Sequence, residues 1–361
     1  MKERILVKTK ELESFTIEVL NKYGLSMEDA EITAKVLLSA DQRGIESHGV
    51  ARLKRYTDGI KSGIIKSSPD IKTIVETPVS LVVDGDGGMG QPITYNTMDR
   101  CIKKAKDNLM CFASIRNSNH YGIAGYYTLM ALENDMIGIS LTNSAPLVVP
   151  TFAKDAVTGT NPISVGVPAE NEKPFLLDMA TSTVPRGKLE VYSRKEDPIP
   201  NSWATDEKGI PTDDSKKVLD NLLNRRGGGL LPLGGGLELT GGHKGYGLSA
   251  IVDIFSGILS GGAVGKDVYS KKGSPPEVAH FIGAINPEAF VGGEDIKKGM
   301  DYYINMLKNS TKAEGQDRIY VAGEKEYENT EANKVQLSLQ SKVFITLNEL
   351  GSEFGIKLEE I

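Results

Sequence analysis

The stretch VSLVVDGDGGMGQPITYNTMDRCIKKAKD, residues 79–107, decides how the fold is read. Its first six residues read as a buried strand, and the segment from Pro92 onward reads as a helix. Between them Gly85, Gly87 and Gly90 satisfy the spacing G-x-G-x-x-G. A dinucleotide lies on such a loop in doubly wound, parallel-sheet proteins, with its pyrophosphate against the helix N-terminus. Two features speak against that here. Asp84 and Asp86 put carboxylates where the pyrophosphate would sit, and nothing basic within the loop offsets their repulsion. The acidic residue expected at the end of a second strand about 20 residues further on is missing too, because Asp107 falls inside the predicted helix. The glycines are therefore read as serving a tight turn or close packing.

Outward from this segment, short β-rich runs recur: IKTIVE (71–76), VSLVVD (79–84), MCFASI (110–115), MIGISL (136–141), PISVGVP (162–168) and FLLDMA (175–180). With helices between some of them, this is the texture of a mixed α/β domain. The chain before about residue 65 reads as helical instead. Ser26 with Asp29 makes a capping-box-like start, apolar residues follow at helical spacing through AEITAKVLLSA (30–40), and a second helix over roughly 48–60 follows a turn at Gly44. SLQSKVFITLNELGSEFG (338–355) returns to helix and can pack on the first helices. The expected organisation is a helical domain built from residues 1–70 and 311–361 around an α/β domain over 71–310. The glycine-dense RRGGGLLPLGGGLELTGGHKGYG (225–247) leads into an apolar helix, LSAIVDIFSGILSG (248–261), and YSKKGSPPEV (269–278) reads as a surface loop.

Composition narrows the partners. A formal net charge of -6 over 361 residues lacks the basic surface that nucleic acid or an anionic membrane would need. A small molecule is the better default. No segment offers about 18 consecutive apolar residues, and the charged N-terminus MKERILVKTKELESF is no signal peptide, so a cytoplasmic location is expected. Cys101 and Cys111, the only cysteines, form no C-x-x-C pair and are expected as small buried hydrophobes.

Several strands end in polar loops, which is how an α/β sheet builds a ligand site. CFASI runs into RNSNHYG, IGISL into TNSAP, and FLL into DMATS. Histidine is scarce, and His48, His120, His243 and His280 complete the list. SHGVARLKRY (47–56) places His48 in the first turn of the predicted helix, with Ser47 as its cap and with Arg52 and Tyr56 at i+4 and i+8 on one face. Such a face can hold an anion, because Arg52 offers a planar fork to a carboxylate and His48 adds a hydrogen bond. His120 follows a buried strand, and an imidazole with an ordinary pKa of about 6.5 can take a hydroxyl proton and return it. That is what alcohol–ketone interconversion by hydride transfer requires. GGHKGYG (241–247) ahead of an apolar helix is the best anion cradle, with Lys244 adding a full charge, and it is not a Walker A loop. The histidines are too far apart in sequence for H-E-x-x-H or any zinc-finger spacing, so no metal is expected.

The residues RGIESHGVARLKRY (43–56), RNSNHYGIAGYY (116–127), LTNSAP (141–146), GTNPISVGVP (159–168), LDMATSTVPRGKLE (177–190), LLPLGGGLELTGGHKGYGLS (230–249) and GAINPEAF (283–290), in this order, resemble the malate and L-lactate dehydrogenase family that lacks the Rossmann fold. Sulfolactate dehydrogenase, ureidoglycolate dehydrogenase and diketogulonate reductase are among that family's relatives. The resemblance implies a mixed-sheet, non-Rossmann NAD(P)-binding domain, a helical domain formed from both chain ends, and a homodimer with sites near the subunit interface. It implies that NAD or NADP is the cofactor and a small carboxylic acid the substrate, with malate and oxaloacetate as the first guess. A related 2-oxo or cyclic imine acid, or a non-catalytic ligand-binding role, is the alternative. His120 becomes the acid/base; His48 and Arg52 bind the substrate carboxylate, with Ser47, Tyr56 and Asn119 in the same pocket. The cofactor is expected on Ser144, on Asp178, Met179 and Ala180, on His243 and Lys244, and on Gly323 and Glu324, whose turn VAGEKE lacks the proline usual in the family. Arg225 and Arg226 sit in an insert-like run richer in Arg and Gly than the family norm, either on phosphate or in water.

Overall fold

The computed structural model describes residues 3–270 and 275–361, so the middle of the expected surface loop at 269–278 lies outside the described residues. The chain opens with β1 (Arg4–Lys8), α1 (Thr9–Lys22), α2 (Met27–Gln42) and α3 (Leu53–Lys61). Helix α2 starts where expected, because the Ser26 hydroxyl accepts the Asp29 N–H at 3.1 Å. β1 corrects the reading of a wholly helical N-terminus. The apolar run within RILVK is only three residues long, too short to mark a strand by itself, and its partner lies more than 300 residues away in β11.

The central region follows as β2 (Lys72–Glu76), β3 (Ser80–Asp84), α4 (Gly90–Asn108), β4 (Met110–Ser118), α5 (Ala124–Leu132), β5 (Ile137–Thr142), β6 (Ile163–Val167) and β7 (Phe175–Met179). All six expected strands are present. Next come α6 (Arg186–Lys195), β8 (Ala204–Thr205), α7 (Ser215–Asn224), β9 (Gly229–Leu230), α8 (Gly242–Asp253) and β10 (Val278–Ile285). The chain closes with α9 (Gly293–Lys308), α10 (Glu324–Ala332), β11 (Gln336–Gln340) and α11 (Ser341–Ser352). Residues 338–340, expected as helix, are the end of β11. The helix expected from residue 248 starts at Gly242 and continues past α8 into a π turn at Ile254–Ile258.

The main sheet has the order β2-β3-β4-β10-β5-β6-β7. Its one parallel pair is β3 and β4, joined across α4; every other neighbour is antiparallel. A doubly wound fold needs consecutive parallel crossovers, so the fold is a mixed α/β sheet of another kind. β10 sits at its centre and is buried on both faces, which removes the alternation by which a strand is recognised.

Three apolar cores hold these layers. One joins the two chain ends: Val7, Leu12, Val19 and Leu37 pack with Leu337, Leu347, Leu350 and Leu358, and Tyr56 and Met89 belong to the same cluster. β1 and β11 close it as an antiparallel pair, Arg4 opposite Gln340. The helical domain is thus formed from both ends. A second core lies between the sheet, α4 and α5 and contains Cys101 and Cys111, both buried thiols. A third, around Val148, Leu189, Val218 and Leu230, joins α6 and α7 to the small β8–β9 pair.

Candidate active site

The SHG segment is shaped from below by a residue that sequence reading missed. Asp41, near the end of α2, is buried and accepts the Val50 N–H at 2.7 Å. A Cβ at position 49 would stand 1.9 Å from its Oδ1, so Gly49 is a glycine because a carboxylate occupies the side-chain space. This contact interrupts the helix expected over 48–60: single 3-10 turns, Glu46–His48 and Val50–Arg52, precede α3. Ser47 is accordingly not a helix cap. Its hydroxyl lies 2.9 Å from His48 Nδ1, and its carbonyl accepts Arg52 Nε at 2.5 Å. The segment still delivers His48, Arg52 and Tyr56 to one place.

The opening glycine loop answers to His120. The Gly85 and Gly87 N–H groups donate to the Arg116 and Asn117 carbonyls at 2.9 and 2.7 Å. Asn119, buried, donates its side-chain amide to the Gly87 and Gly88 carbonyls, both at 2.9 Å. A Cβ on Gly90 would meet the Asn119 and His120 carbonyl oxygens at 2.3 and 2.7 Å. Only a bare backbone lets α4 begin that close to the His120 peptide. The loop carboxylates are neutralised from outside, Asp84 by Arg116 at 3.0 Å and Asp86 by Lys66 at 2.5 Å. The loop thus cradles the strand end that carries His120. Asn119 belongs to that cradle through its amide nitrogen.

His120 and His48 stack, with centroids 5.4 Å apart and planes 25° from parallel. His120 Nδ1 lies 2.7 Å from the Tyr56 hydroxyl, which leaves Nε2 for a ligand. Burial, then the Arg52 and Arg55 charges, pushes His48 down to about 4. Burial, with His48, Arg55 and Arg52 behind it, pushes His120 well below the ordinary histidine value. Tyr56, fully buried, is pushed up to about 12. Two imidazoles kept neutral, with the Arg52 and Arg55 charges acting on them, suit an anion that carries an exchangeable proton. Arg55 was not foreseen; it lies on the same helix, and its guanidinium donates to the Tyr269 hydroxyl at 3.3 Å.

The other polar strand ends meet one another around Thr160. The Ser144 hydroxyl accepts the Thr160 N–H at 3.1 Å, and Asn161 next to it donates to the Ser249 carbonyl and to Asp253 on α8. Thr181, following Met179 and Ala180, donates its N–H to the Thr160 carbonyl and accepts the Leu233 N–H. Asp178 accepts the Gly125 N–H at 2.8 Å at the start of α5, and burial raises its carboxyl to about 6. His243 and Lys244 are exposed in the first turn of α8, where no protein group pairs with the Lys244 amine among the described residues. The neighbouring glycines do packing work: a Cβ on Gly242 or Gly245 would lie 1.9 or 2.2 Å from a carbonyl of the Leu233–Gly235 backbone.

The late turn is different. Glu324 is held by Lys308 at 3.1 Å, Arg318 at 2.6 Å and the Val321 N–H, and Gly323 packs on the Leu176 backbone. Gly323 thus packs the start of α10 against β7, and the Glu324 carboxylate ties that turn to Lys308 on α9 and to Arg318. Arg225 binds the Tyr269 carbonyl and Arg226 pairs with Asp220 at 2.7 Å, so both are engaged by protein groups. His280 is a core residue, bridging Thr142 and Ser118 at 2.7 and 2.9 Å and stacked on Tyr121. Among the described residues no group of three or more His, Cys, Asp or Glu could hold a metal ion.

Residues 7–348 match the family model described as malate/L-lactate dehydrogenase. A malate dehydrogenase of Pyrococcus abyssi is 51% identical over 97% of this chain and 95% of its own length. The L-sulfolactate dehydrogenase of Methanocaldococcus jannaschii is 38% identical over 99% of both chains. Among solved structures, that of malate dehydrogenase from Pyrococcus horikoshii superposes with a TM-score of 0.89 at 47% identity, covering 99% of this chain and 98% of the other.

Proposed function

Because the chain belongs to the malate/L-lactate dehydrogenase family, and is a dehydrogenase on that ground, we propose that it interconverts a small 2-hydroxy acid and its 2-oxo acid with NAD or NADP, malate and oxaloacetate being the first pair. The observation that carries this reading is the meeting of His120 with His48 and Tyr56, with Arg52 held to the Ser47 carbonyl on the same turn as His48. A dinucleotide suits the residues beside it: Lys244 offers an unpaired cation at the positive end of α8, and Ser144, Asp178, Met179 and Ala180 line the adjoining strand ends. When bound, the nicotinamide accepts or supplies the hydride. Everything else falls to the chain. Arg52 holds the carboxylate next to the reacting carbon, His48 adds a hydrogen bond, and His120 Nε2 takes the hydroxyl proton during oxidation or returns it to the forming alkoxide during reduction.

Charge favours a diacid. Arg52 and Arg55 both act on the imidazoles, one more cation than a monocarboxylate needs. Sulfolactate, with a sulfonate in place of the second carboxylate, meets the same charges and is the second reading; a relative 38% identical bears that name. A spectrophotometric screen of 2-oxo acids with NADH and NADPH tests this. Oxaloacetate or sulfopyruvate should lead, and Arg55→Gln should lower their kcat/KM about tenfold or more while leaving pyruvate nearly unchanged. A clear preference for pyruvate, a cyclic imine or a sugar acid would displace the diacid reading.

The exposed stripe Ile251, Ile254, Phe255 and Ile258 along α8 and its π turn supports a homodimer. Two buried free thiols fit the reducing cytoplasm.

A further inference from the structure

Arg43, the residue that ends α2, is only 5% exposed, yet its guanidinium hydrogen-bonds no protein group among the described residues. It overlies the Tyr327 ring of α10 at 5.0 Å. Asp178 and Glu326 act on its charge without bonding it, and Asp178 is taken up by the Gly125 N–H. The Tyr327 hydroxyl is likewise buried and without a hydrogen-bond partner among the described residues. A buried cation whose N–H fork meets no acceptor is costly, and so is an orphaned buried hydroxyl, unless a group from outside the chain meets both.

Arg43 and Tyr327 line one cavity of about 390 Å³, bounded by α2, α4, α5 and α10, a size usual for small-molecule pockets. Tyr95, Ile102, Tyr126 and Leu129 supply flat and apolar walls, with the Tyr95 and Tyr126 ring centroids 6.4 Å apart. Two carboxylates line it as well. Asp99 is paired with Lys103 at 2.6 Å, and Glu133 is exposed, with no cation paired to it among the described residues. One cation with carboxylates around it suits a ligand of single negative charge and repels a polyanion. None of the residues proposed for substrate or cofactor lines this cavity.

We propose that the cavity is a second ligand site, which takes a small aromatic monocarboxylate, its carboxylate on Arg43 and the Tyr327 hydroxyl and its ring against the tyrosine walls. Benzoate is the probe, titrated calorimetrically into the full-length protein. The active site is a second place for a carboxylate, so Arg52→Gln serves as the background in which binding at the cavity is read alone. There Arg43→Gln should weaken benzoate about 10- to 100-fold and Tyr327→Phe severalfold, in line with the loss of charge-assisted and neutral hydrogen bonds. Glu133→Gln should tighten it, while benzamide, of the same shape without the charge, and citrate, with more charge, should bind far more weakly. Absence of benzoate binding in Arg52→Gln alone, or equal affinity with and without Arg43→Gln, would overturn the proposal. If NADPH but not NADH is weakened by Arg43→Gln while benzoate is unaffected, the guanidinium serves the cofactor's extra phosphate instead. Should Arg43→Gln fail to fold, Tyr327→Phe and Glu133→Gln decide: affinity that does not move in opposite directions in the two would overturn the site.

Discussion

In the proposed reaction His120 starts able to accept a proton at neutral pH, since burial, with His48, Arg55, Arg52 and His280 behind it, holds its imidazole well below the usual range. The acid limb of kcat/KM for hydroxy-acid oxidation, which reports the unliganded enzyme, should therefore lie below pH 6.5. Arg55→Gln removes one of the charges that disfavour imidazolium, so that limb should move upward in pH. A limb that stays in place would show that Arg55 does not act on the imidazoles. His120→Ala should lower turnover by about two to four orders of magnitude while NADH binding, followed by fluorescence, persists. Near-normal turnover would end the assignment. His48, Arg52, Tyr56 and His120 were legible in the sequence because imidazole and guanidinium are rare, and chemically specific, beside glycine and serine. Asp41 was not: it acts through the Val50 N–H that packing brings to it, and nothing local marks it.

The 3-10 turns between α2 and α3 exist because Asp41 reaches across to them, and that support has a pH signature. Burial raises the Asp41 carboxyl from 3.8 to about 7. Below about pH 4 folded and unfolded chains both keep the proton; as pH rises toward 7 the unfolded chain gives it up first, so stability is lost over that window. Asp41→Asn keeps an acceptor for the Val50 N–H and does not titrate. Its melting temperature should exceed that of the wild type by several degrees at pH 8, with the gap closing toward pH 4; a gap independent of pH would contradict the titration. Among the strands, the six with an apolar or alternating run were readable, and β10 was not, since VAHFIGAI is shielded on both faces and carries small residues, Gly283 lying against the Phe112 ring. The glycine loop was legible in part: its carboxylates spoke against a pyrophosphate, while the partner it packs on, the His120 peptide, arrives from thirty residues downstream in the chain.

Ile254, Phe255 and Ile258 are 44%, 40% and 60% exposed on one ridge, which a single subunit would leave in water. Sedimentation should give a dimer. Ile258→Asp should shift it toward monomer and cost activity, because α8 also carries Lys244 and contacts Asn161. A wild-type monomer with full activity would remove the dimer. The α/β class and the return of the C-terminus to the N-terminal helices could be anticipated from patterns. The third core around Leu189 and Val218 and the β1–β11 pairing could not, because each depends on contacts between segments that carry no mutual signature in one sequence.

That pairing bears on the turn that carries the first histidine. Glu46, two residues before His48, is gripped by Arg4 of β1 at 2.5 Å and by Gln340 of β11 at 3.3 Å. Two strands about 330 residues apart in sequence thus brace one turn, so whatever loosens β1 from β11 should be felt beside His48.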